Sequence, residues 1–172
     1  LQRYLKMKIL IGGAGSKFYH LKEFMNSLNR QGNECVLVLD SDIYDGYPSR
    51  NIINWFQTRK KFNKLVTDFK PDFVFVDRVR HFGLAAIKAQ LPLLVHLRGD
   101  YWSEMRWAKE TIYKSFPKNI ALQRWEIIGN KCLEKSSTII PICKYLEGIV
   151  KEHYPHKNVF VMHQGITPSN WE

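Results

Sequence analysis

A chain of 172 residues, 45% apolar and 13% aromatic, is the size of one domain and can bury a core without disulfides or metals. Cys35, Cys132 and Cys143 are far apart in apolar sequence, so neither a disulfide framework nor a Cys-x-x-Cys metal site is indicated, and a reducing cytoplasm is the expected setting. No apolar run approaches the ~20 residues of a membrane span, and a formal charge of +10 calls for an anionic partner: nucleic acid, lipid headgroups or a phosphate-bearing small molecule.

Leu1 to Lys6 read as a short N-terminal extension ahead of Met7, the first plausible start. The stretch Met7 to Ser16, MKILIGGAGS, is an apolar strand running into a turn with Gly12, Gly13 and Gly15. Such an unbroken apolar strand is covered on both faces, as in a parallel sheet. Glycines at its carboxyl end permit positive φ or close approach of a ligand, and the helix expected from Lys17 presents unpaired N–H groups to an anion. The turn is therefore a candidate phosphate site, or else a tight strand-to-helix turn with nothing bound. A dinucleotide fingerprint needs a third glycine where Phe18 stands, and the Gly-Lys-Ser/Thr of a triphosphate loop is absent. Ser16 and Lys17 can each donate to a phosphate or cap the helix.

Phe18, Leu21, Phe24, Met25 and Leu28 mark a helical stripe that stops at Gly32. Glu34 to Asp40 is a second buried strand, followed by Asp40-Ser41-Asp42 and a loop with Tyr44, Tyr47 and Pro48. From about Asn51 to Phe69, apolar residues including Trp55, Phe56 and Phe62 alternate at helical spacing with Arg59, Lys60, Lys61 and Lys64. That is an amphipathic basic helix, either packed on the core with a solvated face or used to bind a surface. FVFVD to Asp77 is a third strand, Phe82 to Gln90 a helix, and LLVHL a fourth strand ended by Arg98-Gly99-Asp100. A helical region from Tyr101 to Ser136 is divided at Pro117 and carries Trp102, Arg106, Trp107, Lys109 and Trp125. Thr138 to Ile142 is a fifth strand whose Pro141 suits an edge or a strand end, Lys144 to Tyr154 a helix, and Val159 to Met162 a sixth strand. This alternation predicts an α/β fold, a doubly wound, Rossmann-like parallel sheet with its ligands at the carboxyl ends of the strands. Asp77, Arg78, Arg98, Gly99 and Asp100 belong to that rim.

MKILIGG, PDFVFVD, LPLLVHLRGDYW, STIIPICKYLEGIV and NVFVMHQGIT, taken in order, resemble the N-terminal domain of GT-B-fold glycosyltransferases. The resemblance is to the family-4-like, retaining, nucleotide-sugar-dependent enzymes that include sucrose and glycogen synthases. It covers nearly the whole chain from Met7. It implies a Rossmann-like domain over 7–166, an interdomain linker starting at 167–172, and a donor-binding C-terminal domain with paired glutamates outside this sequence. It further implies that Gly12 and Gly13 approach the diphosphate of a nucleotide-sugar donor, which is a substrate, and that the acceptor meets this half. No cofactor and no metal is implied. Arg98 stands where the family's histidine is usual, Cys143 replaces a serine, and Gln164 and Thr167 replace an asparagine and an aspartate around Gly165. These departures bear on the chemistry of the acceptor side.

At the acceptor cleft the candidate residues are Arg98, Gly99, Asp100, Asp77 and His96. An arginine at a strand end can meet a phosphate or carboxylate with paired N–H donors, or form a salt bridge to Asp77 or Asp100. His96, two residues earlier on the same strand face, is either a core histidine or a functional one. Asp40-x-Asp42 formally matches a metal–diphosphate pattern of another glycosyltransferase fold, and Asp40 alone could hold a ribose hydroxyl. The basic aromatic positions Trp55, Arg59, Lys60, Lys61, Lys64, Trp102, Arg106, Trp107 and Lys109 are expected to face an anionic membrane surface, placing the protein at the cytoplasmic face beside a glycan or lipid-linked acceptor. Two other readings stand beside this one: a basic nucleic-acid-binding module, in which aromatics stack bases, and a nicotinamide-dependent dehydrogenase domain.

Overall fold

The computed structural model describes residues 6–43, 58–163 and 165. Expectations placed on the extension before Lys6, on Tyr44, Tyr47, Pro48, Trp55 and Phe56, and on Gln164, Thr167 and the linker lie outside the described residues.

Alternating strands and helices follow the apolar pattern closely. β1 is Lys8–Gly13, α1 Phe18–Arg30, β2 Glu34–Leu39 and α2 a single turn, Asp40–Ile43. Then come α3 (Thr58–Phe69), β3 (Phe73–Val76), α4 (His81–Lys88) and β4 (Leu93–Leu97). α5 (Tyr101–Glu110), α6 (Lys118–Lys135), β5 (Thr138–Pro141) and α7 (Lys144–His153) complete the elements. Gly32, with φ +91°, lies in the left-handed region that ends α1 at no steric cost.

The five strands are all parallel, in the order β2-β1-β3-β4-β5. The chain leaves β1 for β2 on one side and later returns to place β3 on the other, so the strand order reverses between β1 and β3. In an open α/β sheet the crevice at such a reversal is where ligands bind. The carboxyl ends that flank it carry Gly13 and, one residue beyond β3, Asp77.

Alternation along each strand divides the core in two. Leu10, Val74, Val76, Val95, Leu97 and Ile139 face one way, into a cluster with Phe62 of α3, Phe82 of α4, Cys132 and Leu133 of α6, and Val150 of α7. Ile9, Ile11, Phe75 and Ile140 face the other way, against Leu21, Phe24 and Leu28 of α1. Phe62 and Phe82 meet edge to face at 5.3 Å and are fully buried, each contributing about 1.5–3 kcal/mol by burial. Near-continuous apolar strands are what such two-sided coverage selects.

Two expectations change. The sixth strand reduces to a single parallel bridge between Val159 and Ile139, although the amides of Phe160 and Met162 still donate to the carbonyls of Ile139 and Pro141 at 3.2 and 3.0 Å. The segment pairs with a strand of only four residues and keeps Phe160 61% exposed, so little burial holds it flat. Positive φ is also not the reason for the glycines after β1, because Gly12, Gly13 and Gly15 all have ordinary backbone angles.

Candidate functional site

Asp77 organises the rim. Its side chain is 3% exposed, and one oxygen, Oδ1, accepts from His96 Nδ1 at 2.9 Å and from Arg98 Nε at 2.6 Å. A buried carboxylate is tolerated only when paired and hydrogen-bonded, and two donors from the neighbouring strand supply this. His96 and Arg98 are two residues apart on β4 and just beyond it, hence on one face, the face that also carries Phe75 and Asp77. The His96 ring lies against Phe75 with centroids 5.8 Å apart. With Nδ1 turned to the carboxylate, Nε2 is left as a buried atom without a hydrogen-bond partner. The Asp77 amide donates to the Gly12 carbonyl at 3.2 Å, tying the cluster to β1.

Gly12 and Gly13 differ in what they face. A Cβ on Gly12 would stand 2.5 Å from Cδ1 of Phe82, in the core beneath α4. A Cβ on Gly13 would collide with Cδ1 of Leu21 and come within 3.8 Å of the Asp77 Cβ. Gly13 therefore lies beside the Asp77–His96–Arg98 cluster, and Gly12 turns to the opposite face. Gly99 is pinned differently, since a Cβ there meets the Glu104 carboxylate. Asp100 is the N-cap of α5: its Oδ1 accepts from the amides of Trp102 and Ser103 at 3.1 and 3.2 Å, and Oδ2 from the Ser103 hydroxyl. Partial burial pushes its carboxyl up, but these hydrogen bonds outweigh that and leave it below the usual carboxylate range.

At the start of α1, a 3-10 turn over Gly15–Lys17 precedes Phe18, and neither Ser16 nor Lys17 makes a side-chain cap. Phe18 and Tyr19 are exposed there. Across the reversal point, burial raises the Asp40 carboxyl; Arg78 and Arg80 pull it back down, and Asp77 pushes it further up. Asp42 is used locally, accepting from the Leu39 amide at 2.9 Å. Among the described residues no group of three or more His, Cys, Asp or Glu is arranged to hold a metal.

Arg80 is a rim residue that sequence reasoning passed over. Its guanidinium lies 3.9 Å over the Trp125 ring, and Trp125 meets Tyr113 edge to face at 5.4 Å. The only local signal was a second arginine two places after Arg78; the tryptophan is 45 residues away in sequence.

The basic aromatic positions separate. Lys60, Lys61 and Lys64 are exposed on α3, opposite buried Phe62, while Trp55 and the Arg59 side chain lie outside the described residues. Arg106 and Trp107 are exposed, and Lys109 pairs with Glu126 at 2.7 Å. Trp102 does not share that surface: it stacks flat on His153 of α7, 3.8 Å between centroids and 9° between planes. No helix among the described residues is long and apolar enough to cross a membrane.

Solved glycosyltransferases share this arrangement of strands and helices. MurG of Acinetobacter baumannii superposes with a TM-score of 0.53 at 13% identity, over 94% of this chain and 46% of that one. A UDP-glucosyltransferase from Polygonum tinctorium capable of glucosylating indoxyl superposes with a TM-score of 0.54 at 11% identity, over 95% and 53%. The fold is GT-B glycosyltransferase-like. The chain spans about half the length of each of these structures. No protein-family model matches it, and no curated protein matches it in sequence. On this GT-B-like fold, Gly13, Asp77, His96 and Arg98 form one group, whereas Gly12, Gly99 and Asp100 are held by contacts of their own.

Proposed function

We propose that this chain is the acceptor-binding half of a nucleotide-sugar-dependent glycosyltransferase, with the donor held mainly by a second domain. The observation that carries the reading is the Asp77–His96–Arg98 cluster at the carboxyl ends of β3 and β4, beside the strand-order reversal of a GT-B-like sheet. In glycosyl transfer an acceptor oxygen forms a bond to the anomeric carbon as the bond to the leaving nucleoside diphosphate breaks. Negative charge collects on the diphosphate, and preorganised donors stabilise it. In this reading the turn after Gly13 and the first turn of α1, which has no side-chain cap, lie on the side of the diphosphate. Asp77 holds Arg98 through Nε, and the role this reading assigns to Arg98 is to meet an anionic group on the acceptor or the departing diphosphate. The acceptor is a glycan, membrane-linked or phosphate-bearing.

The test is nucleoside diphosphate release from a panel of nucleotide sugars by the full-length protein. Arg98→Ala should lower kcat/KM at least tenfold, measured at a temperature where the variant is still folded because loss of the ion pair to buried Asp77 also lowers Tm, and Arg98→Lys should not restore it, because lysine lacks the forked donors. Normal kinetics in Arg98→Ala would show the arginine to be structural. No diphosphate release from any donor by folded protein would overturn the transferase reading. The sequence resemblance further implies retention of anomeric configuration, which the anomeric coupling of the product decides by proton NMR; an inverted product would overturn retention alone.

A further inference from the structure

The surface between Arg106 and Ile120 is not explained by the core or by the cleft. Trp107, Ile112, Phe116 and Ile120 are 58%, 53%, 77% and 50% exposed. Interleaved with them in sequence are Arg106, Lys114 and Lys118, together with Lys109, which pairs with Glu126, against a single acid of the segment, Glu110. Soluble domains scatter single apolar residues over their surfaces, but four large exposed ones from the last turn of α5 to the first turn of α6, interleaved in sequence with cations, mark an interaction surface.

We propose that this α5–α6 tip docks on an anionic lipid bilayer, with Phe116, Ile112 and Ile120 in the headgroup–acyl boundary and Lys114 and Lys118 on the headgroups. Charge complementarity and side-chain type select this occupant. Isoleucine has no π-face to offer a base, so Ile112 and Ile120 fit hydrocarbon better than single-stranded nucleic acid. The tip is also braced against the cleft rim. Tyr113 within it meets Trp125 of α6, Trp125 lies under Arg80, and Arg80 is three residues past Asp77. At its other end α5 starts from the Asp100 cap, two residues after Arg98. Docking through the tip therefore couples the membrane-bound surface to the rim of the cleft through α5 and the Tyr113–Trp125–Arg80 contacts. This rests on the transferase reading above for its consequence, that the acceptor is lipid-linked, but the docking itself does not require activity.

Sedimentation of the full-length protein with vesicles tests it. Binding should appear with vesicles enriched in phosphatidylglycerol, weaken as salt rises, and be weak on pure phosphatidylcholine. Lys114→Glu with Lys118→Glu should reduce anionic binding by an order of magnitude or more, at about fivefold per basic residue before reversal. Phe116→Ser with Ile120→Ser should reduce binding at low and high salt alike, because apolar insertion is not screened. Phe116 and Ile120 are at least half exposed and Lys114 and Lys118 are exposed, so the variants keep the core, and diphosphate release with a water-soluble acceptor should stay at the wild-type rate. Lys60→Glu, Lys61→Glu and Lys64→Glu together on α3 serve as the comparison and should cost less than the tip pair. Tip variants that pellet like wild type, loss confined to the α3 variant, or a tip that shifts with single-stranded DNA but not with vesicles would each overturn the proposal. Vesicle binding by a protein that releases no diphosphate from any donor would leave the docking standing and remove only the lipid-linked acceptor.

Discussion

Gly12 and Gly13 show how a motif that points to a ligand can first be a packing requirement. Phe82, only 1% exposed, fills the space where a Gly12 side chain would go, and Leu21 does the same at Gly13. Aromatic and leucine side chains locked in a core move little, so overpacking there costs about 1–3 kcal/mol. Gly12→Ala is therefore expected to lower unfolding free energy by that amount in a urea titration. Unchanged stability with a raised KM for the donor would instead make Gly12 a ligand-approach position. Arg98 is the opposite case. A strand-end arginine is legible as a candidate site residue in the sequence, along with its alternative partner Asp77, and in the structure Asp77 Oδ1 accepts from Arg98 Nε.

Among the elements, α5 is the one whose start matters most, because it leaves directly from the rim. Asp100 satisfies two of its otherwise unpaired amides, and losing such a cap costs about 1 kcal/mol. Asp100→Ala should destabilise by that much and Asp100→Asn by less, as read from denaturant midpoints at neutral pH. The effect has a direction in pH. The folded carboxyl sits below its unfolded value, so the cap's contribution is present above the unfolded pKa and is lost as pH falls through the folded one. The gap between wild type and Asp100→Ala should therefore close on acidification; a gap constant down to strongly acidic pH would mean the charge is not what caps the helix. At the far end of the same hairpin the break at Pro117 separates α5 from α6 as expected, and the exposed tip is its product.

For the molecule as a whole, two core layers on a five-stranded sheet are enough for independent folding, whereas the proposed reaction needs a donor domain as well. The 172-residue chain is expected to unfold in a single cooperative transition yet release no nucleoside diphosphate, since the proposed donor domain lies outside it. Measurable sugar transfer by this polypeptide alone would refute the division of labour between two halves. The competing readings concern this scale too. The interleaved cations and aromatics that suggest a nucleic-acid module lie on helices around the sheet, and the dinucleotide reading meets Phe18, at the start of α1, in place of a third glycine. A nicotinamide fluorescence titration that saturated would revive the latter.

Most of the elements are legible in the amino-acid sequence alone, the last strand excepted. Their signals are local: apolar runs of strand length, helical stripes, Gly32 as a stop, Pro117 as a break. Each depends on residues within one or two turns of the chain, so the five paired strands, the parallel alternation and the rim positions of Asp77 and Arg98 could be read without coordinates. The sixth strand was overread because its pattern says nothing of whether a partner is long enough to hold it. Only the tertiary structure decided which rim residues share a face and which packed surface claims a given side chain. Asp77 meets His96 across 19 residues and Arg98 across 21, Tyr101 reaches Glu126 across 25, and Trp102 stacks on His153. Such contacts are set by strand order and helix crossing, and local periodicity carries no information about either.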